Sequence, residues 1–346
     1  MKILVTGGAG YIGSHTCVEL LNSGHEVIVI DNLCNSSKTS LERVKKITQC
    51  NEQQIKFYNN DVRDRVSLEN IFRNNNIDAV LHFAGLKSVG ESTEIPLEYY
   101  NNNVAGTIVL IEEMERAKVG VIIFSSSATI YGDPASVPIK EDAPVSAMNP
   151  YGRSKLMVEE ILQDHYSAKS DWKIGLLRYF NPVGAHKSGE LGESPLGIPN
   201  NIMPFISQVA AGKLNKLNVF GGDYPTHDGT GVRDYIHVVD LAKGHISALN
   251  ALFDENNTFK NGGILTVNLG AGRGYSVLEL IKSFEDVSGK KITYEIVERR
   301  AGDIAECYAD TRYAEQEIGW KSKLNLQQMC EDTWRWQMKN MDGYLN

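Results

Sequence analysis

The chain has 346 residues, 42% of them hydrophobic, enough to bury a large core as two domains or one elaborated domain. A formal net charge of −8 and the absence of any run of five basic residues argue against nucleic-acid and anionic-membrane partners. No apolar run approaches the roughly 20 residues that span a bilayer, and five scattered cysteines without C-x-x-C spacing, with eight unclustered histidines, point to reduced cytoplasmic thiols and no structural metal.

Residues 2–6 read as a short buried parallel strand, rich in β-branched side chains, and not as a signal peptide. A helical pattern runs from Ser14 to Ser23, with Cys17, Leu20 and Leu21 apolar and Gly24 closing it. Gly8-x-Gly10-x-x-Gly13 therefore falls on a strand-to-helix turn. Glycine there permits a tight turn, close backbone approach to a pyrophosphate and packing of helix on strand, while the helix N-terminus offers free N–H groups to phosphates. A second strand, 26–30, ends at Asp31, roughly 20 residues on, where a carboxylate would bond an adenosine ribose and repel a 2′-phosphate. That favours NAD over NADP.

Further strands are predicted at 55–59, 79–83, 121–125 and 174–178, alternating with helical stretches. This is the βαβ rhythm of an α/β, doubly wound (Rossmann) parallel sheet, with site loops after the carboxyl ends of the strands. Pro150 breaks the chain before a helix running from Tyr151 to about Ser167. Tyr151 and Lys155, at i and i+4, share one face of it. An ammonium near a phenol favours the phenolate, so the pair suits proton removal from an alcohol during hydride transfer. The same spacing also occurs as a surface pair on an amphipathic helix; its place after a dinucleotide turn tilts it to chemistry. Residues 1–180 are read as the nucleotide-binding domain. From 181 to 346 a second, smaller mixed α/β domain is expected, interleaved with the first. It has a Gly-, Pro-, Ser- and Asn-rich loop at 184–202, helices at 204–212, 239–252, 276–288 and 326–338, and strands at 218–220, 266–269 and 292–297.

In these residues the chain resembles the extended short-chain dehydrogenase/reductases, and within them the UDP-galactose 4-epimerases. The resemblance spans nearly the whole length: TGGAGYIGSH (6–15), Asp31-Asn32-Leu33, HFAGLK (82–87), YYNNNV (99–104), FSSSAT (124–129), YGRSK (151–155), LRYFNPVGA (177–185), Asn200-Asn201, GVRDYIHV (231–238) and Arg299-Arg300. It implies NAD as cofactor, held by Gly7, Gly10, Tyr11, Ile12, Gly13, Asp31, Asn32, Asn35, Ser36, Asp61, Val62, Phe83, Ala84, Gly85, Lys87, Asn102, Ser125, Tyr151, Lys155 and Tyr179. It makes Tyr151 the group that takes the sugar 4-hydroxyl proton, Ser127 its partner on the same oxygen, and Lys155 the group that holds the nicotinamide ribose and lowers the phenol pKa.

For a UDP-hexose substrate the resemblance implies Phe180, Asn181, Asn201, Ile202, the strand Asn218-Val219-Phe220 along the uracil, Arg233 and Arg300 on the diphosphate, Asp303 on the uridine ribose and Cys307 on the sugar-pocket wall. Family members confined to UDP-glucose and UDP-galactose carry tyrosine at the last position. Cysteine is smaller, so N-acetylated UDP-hexoses are expected to be accepted as well, unless another side chain fills the space. The resemblance further implies a homodimer built on 99–117 and 152–168, with Ile108, Ile111, Met114 and Met157 as surface hydrophobes.

The rival readings are an epimerase confined to N-acetylated sugars, a nucleotide-sugar 4,6-dehydratase, a net alcohol dehydrogenase and a non-catalytic NAD-sensing scaffold. The dehydratase needs an acid–base pair beside the serine, whereas Ala128-Thr129 follows Ser127 and the next carboxylate is Asp133.

Overall fold

The computed structural model describes residues 1–344 apart from 196–198, 200 and 301; Asn200 therefore lies outside the described residues. Short runs of Val, Ile and Leu, apolar on both sides, build a sheet that must be covered on both faces. The strands are β1 (Lys2–Thr6), β2 (Glu26–Ile30), β3 (Ile55–Tyr58), β4 (Ala79–His82), β5 (Val121–Ser127) and β6 (Lys173–Tyr179). The second half adds β7 (Asn181–Val183), β8 (Leu217–Phe220), β9 (Val232–His237), β10 (Gly263–Leu269), β11 (Gly274–Ser276), β12 (Tyr294–Val297) and β13 (Glu306–Cys307). The main sheet has seven parallel strands in the order β10-β6-β5-β4-β1-β2-β3. Its order reverses between β1 and β4, and a doubly wound sheet opens a crevice at such a reversal.

Side chains alternate along each strand between two cores. Ile3, Val5, Val27 and Val29 pack under the helices Tyr11–Asn22 and Val238–Phe253, whereas Leu4, Ile28 and Ile30 pack under Arg65–Asn74, Gly106–Arg116 and Pro150–Ala168. The smaller sheets place β9 between β11 and β13, pair β7 with β9, and pair β12 with β8. A third core forms beneath them around Val219, Tyr235, Phe284 and Met329.

Several boundaries differ from expectation for local reasons. The first helix begins at Tyr11, not Ser14, because Ser14 N–H already donates to Gly10 O at 2.9 Å. Strand β5 continues two residues to Ser127, since Ser126 and Ser127 pair with Arg178 and Tyr179 of β6. The helix expected at 204–212 is Ile202–Ala210, with Pro204 in its first turn, where a missing N–H costs little. Ser276 caps the helix Val277–Ser288 through a capping box with Glu279. The expected surface hydrophobes divide: Ile108 and Met157 are each 40% exposed, but Ile111 and Met114 are buried in the second core, because the helix Gly106–Arg116 turns that face to the sheet. Among the described residues no helix is long and apolar enough to cross a membrane, and no three metal-ligating side chains gather.

One buried ion pair ties the Pro150–Ala168 helix to the sheet. Arg178 of β6 donates to Glu159 at 2.8 and 3.1 Å, Ser126 also donates to Glu159, and Arg178 reaches Tyr131 Oη (2.9 Å) and Glu141 O (2.8 Å). Removing one partner strands a buried charge. Arg178→Met should therefore lower unfolding free energy by about 3–5 kcal/mol in urea denaturation. A loss under about 1 kcal/mol would mean that the pair is not coupled to global stability.

Candidate active site

The cleft opens at the β1/β4 reversal. Gly7 has φ +67°, and a Cβ on it would stand 2.7 Å from Ala84 N; a Cβ on Gly13 would stand 2.3 Å from Gly7 O. No side chain fits at either place, so backbone alone lines this wall. The helix that starts at Tyr11 has no side-chain cap and no acidic residue in its first turn, which leaves its N–H groups and dipole to an anion. Asp31, at the end of β2, braces the turn: its carboxylate accepts from Ala9 N (3.0 Å), Leu33 N (2.9 Å) and Ser36 Oγ (2.8 Å). These features suit a dinucleotide pyrophosphate and ribose.

Around the turn the cleft gathers Gly7, Gly10, Tyr11, Ile12, Gly13, Asp31, Asn32, Asn35, Ser36, Val62, Phe83, Ala84, Gly85, Lys87, Asn102, Ser125 and Tyr179, and at its far side Ser127, Tyr151, Lys155, Phe180, Asn181 and Asn201. Asp61 is not among them. Its carboxylate turns to Arg63 (2.9 and 2.8 Å) and Asn32 (2.8 Å), and the Arg63 guanidinium holds it well below the usual carboxylate pKa.

Ser127 ends β5, and its Oγ accepts from Thr129 N (3.2 Å) and Thr129 Oγ1 (2.9 Å). Asn149 caps the helix that carries Tyr151, accepting from Gly152 N at 2.8 Å. Lys155 does not point its charge at the phenol. Its Nζ donates to Ser125 O at 2.7 Å, lies over the Phe124 ring at 4.8 Å and stands 6.0 Å from the centre of the Tyr151 ring. The expected lowering of the phenol pKa by Lys155 is thus absent from the protein alone: burial raises the Tyr151 pKa, and only hydrogen bonding to Ser127 opposes it. Burial also lowers Lys155 to about 8, partly offset by Glu159 one turn on.

A second group lies on the small sheets. Arg233 of β9 is level with Cys307 of β13, and β7, which begins at Asn181, pairs further along β9. Arg233 Nη1 donates to Val232 O at 2.9 Å, while Arg300 pairs with Asp303 at 2.9 Å and stacks over Phe220 at 4.6 Å. Cys307 packs against a cluster holding Ala128 and Phe180, which brings it close to Ser127, and burial raises its thiol to about 11. Two side chains expected on the substrate are turned inward. Val219 is 1% exposed and Ile202 packs on the third core, because strand and helix periodicity point them there; Asn218 and Phe220 face out.

Sequence reasoning missed three contributors. Thr129 orients Ser127, as above. Glu193, in the Gly- and Pro-rich loop, accepts from Lys87 Nζ (3.2 Å) and Asn201 Nδ2 (2.6 Å), linking the two halves of the cleft. Tyr344 reaches the cleft from far along the chain, its hydroxyl donating to Gly192 O at 3.1 Å and its ring lying against Trp336, whose Nε1 donates to Glu193 O at 3.2 Å. A lone Glu in a loop and a Tyr far from every motif carry no sequence signal.

Residues 4–333 match the family model described as GDP-mannose 4,6 dehydratase. UDP-glucose 4-epimerase of Haemophilus influenzae is 59% identical over 345 residues and that of Bacillus subtilis 58% over 344, each alignment covering 99% of both chains. The chain belongs to the UDP-glucose 4-epimerase family. The crystal structure of UDP-glucose 4-epimerase from Bifidobacterium longum, in complex with NAD+ and UDP, matches this fold with a TM-score of 0.94 and 53% identity, covering 99% of this chain and 100% of that one.

Lys155 gives a pH signature. Its folded pKa of about 8 lies below the ordinary value of 10.5. The unfolded chain therefore holds the extra proton between those values, and stability rises with pH across that window. In the cofactor-free protein, wild type should gain up to about 3 kcal/mol relative to Lys155→Met between pH 7 and 10.5, read from urea melts at each pH. A flat difference would contradict the burial of a charged Lys155.

Proposed function

We propose that this chain inverts C4 of UDP-hexoses with NAD as cofactor and through a transient 4-keto sugar, interconverting UDP-galactose with UDP-glucose, and UDP-GalNAc with UDP-GlcNAc. The observation that carries the reading is a hydroxyl, a phenol and an ammonium (Ser127, Tyr151, Lys155) on one cleft with an uncapped helix N-terminus and a glycine wall. The family supplies the substrate class. Gly7 to Gly13, Asp31, Lys87 and Lys155 would hold NAD. When bound, NAD supplies a hydride acceptor and donor and a positive ring charge.

The protein's own part is proton transfer and orientation. Tyr151 takes the proton of the sugar 4-hydroxyl and later returns it. Ser127 bonds the same oxygen, and Thr129, donating to Ser127, sets the direction of that hydroxyl. Lys155, anchored on Ser125 O, holds the cofactor ribose. Arg233 and Arg300 hold the diphosphate through charge-assisted bonds, leaving the hexose free to turn its other face. Because the sugar is oxidised and reduced in one visit, there is no net redox change.

A dehydratase would have to move a second proton beside Ser127, but Ala128 and Thr129 offer no acid or base there. The small size of Cys307 compared with a tyrosine, at a position packed against the Phe180 and Ala128 cluster, supports acceptance of an acetamido group. Pairing of two copies through the faces bearing Ile108 and Met157, and residence in the cytoplasm, complete the reading.

Tyr151→Phe should keep its NAD and lose about 100-fold or more of its turnover of UDP-galactose; near-normal turnover would remove Tyr151 from the chemistry. Cys307→Tyr should cut kcat/KM on UDP-GalNAc by about tenfold or more while changing UDP-galactose less than about threefold. An unchanged rate on UDP-GalNAc would show that Cys307 does not set sugar breadth.

A further inference from the structure

Tyr224 lies in the turn between β8 and β9 and has no assigned role. It is 6% exposed, and its ring is held from two sides. The Arg299 guanidinium lies over it at 4.0 Å and is itself fixed by the Asp223 carboxylate (2.7 Å) and carbonyl (2.6 Å). On another side Gly221 leaves so little space that a Cβ there would stand 2.4 Å from Tyr224 Cε2. The backbone is closed as well, Tyr224 N donating to Gly229 O at 2.9 Å. Such a ring cannot swing its hydroxyl elsewhere. Yet among the described residues that hydroxyl is buried with no hydrogen-bond partner, an arrangement folded proteins rarely keep without a use.

Its surroundings say what would complete it. The charges of Asp303, Arg299, Arg233 and Arg300 all act on the phenol. Arg233 has no carboxylate within ion-pair distance among the described residues, and its Nη1 is spent on the carbonyls of Val232 (2.9 Å) and Ala305 (3.4 Å). Three guanidiniums around one neutral donor make an environment for an oxyanion. Asp303, an acceptor, suits a sugar hydroxyl instead. Burial and Asp303 raise the phenol pKa, so the group remains an O–H donor at neutral pH.

We infer that the Tyr224 hydroxyl donates to a phosphate oxygen of the nucleoside diphosphate held by Arg233 and Arg300, as a further substrate-binding residue. This rests on the UDP-hexose reading above. It also accounts for a strained cost: a donor left unpaired in the free protein is satisfied when the diphosphate arrives, so the contact adds affinity for the nucleotide and not for the turning hexose.

The test is calorimetry on the NAD-loaded enzyme, wild type against Tyr224→Phe, with UDP and with uridine as probes. Tyr224→Phe should weaken UDP about tenfold or more and leave uridine within about twofold. It should raise KM for UDP-galactose by a similar factor, more than it lowers kcat. Its Tm should equal or exceed that of wild type, because an unpaired buried hydroxyl has gone. UDP binding within about twofold of wild type would overturn the proposal. Equal losses for UDP and uridine would place the hydroxyl on the nucleoside and overturn the phosphate assignment. A lower Tm with unaltered affinity would make Tyr224 structural and overturn it as well. A wild-type enzyme that binds UDP but fails to turn over UDP-galactose would sink the epimerase reading instead, leaving the Tyr224 comparison intact.

Discussion

The structure depends on one close approach. Where β1 and β4 part, the backbone of Gly7 meets that of Ala84, and the helix at Gly13 meets Gly7 O, with no room for a methyl group at either contact. That contact lets the helix N-terminus sit on the carboxyl ends of the parallel strands. Everything chemical is then placed relative to it. Strand β5, two positions along the sheet from β1, ends at Ser127; β6 ends at Tyr179; and the helix from Pro150 packs on the same edge to bring Tyr151 and Lys155 to the crevice. A substituent at Gly13 would push the helix off the strand and move its N-terminus away from Ser127, Tyr151 and Lys155.

The second half of the chain is joined to this sheet by polar groups with little tolerance. β10 extends the sheet beside β6. Asp234, next to Arg233, accepts from Ala271 N (2.6 Å), Gly272 N (3.0 Å) and Ala309 N (3.1 Å), and burial raises its pKa to about 6. One carboxylate therefore holds the loop after β10 and the strand end that follows Cys307. The loop over the cleft is held from the C-terminal side by Trp336 and Tyr344, and across the cleft by Glu193.

Much of this was legible in the residues because strong local rules operate. Buried parallel strands are β-branched runs, and six of them were placed within about two residues. Pro150 marks the start of the Tyr151 helix locally, and the structure adds the cap at Asn149. What escaped depends on distant partners. Ile111 and Met114 read as surface hydrophobes of the expected dimer stretches, but only docking on the sheet decides which face is buried. Val219 and Ile202 were expected to meet ligand, yet a third core claims them. The Tyr151 phenol shows how a distant partner decides: Tyr-x-x-x-Lys spacing promises a lowered pKa, but the ammonium is spent on Ser125 O and only the hydrogen bond to Ser127 opposes desolvation. Glu193, Tyr344 and Tyr224 belong to no short motif, and only three-dimensional neighbours give them meaning.

The central claim is that one cleft oxidises and re-reduces the same carbon without letting go of the sugar. It is tested most directly by turning over UDP-galactose deuterated at C4 in ordinary water and reading the UDP-glucose product by NMR. The account predicts deuterium retained at C4, because the hydrogen that leaves as hydride is returned from the bound cofactor to the same carbon. Product with C4 deuterium replaced by solvent hydrogen would contradict it, and would require a proton-exchange route that Ser127, Tyr151 and Lys155 do not provide.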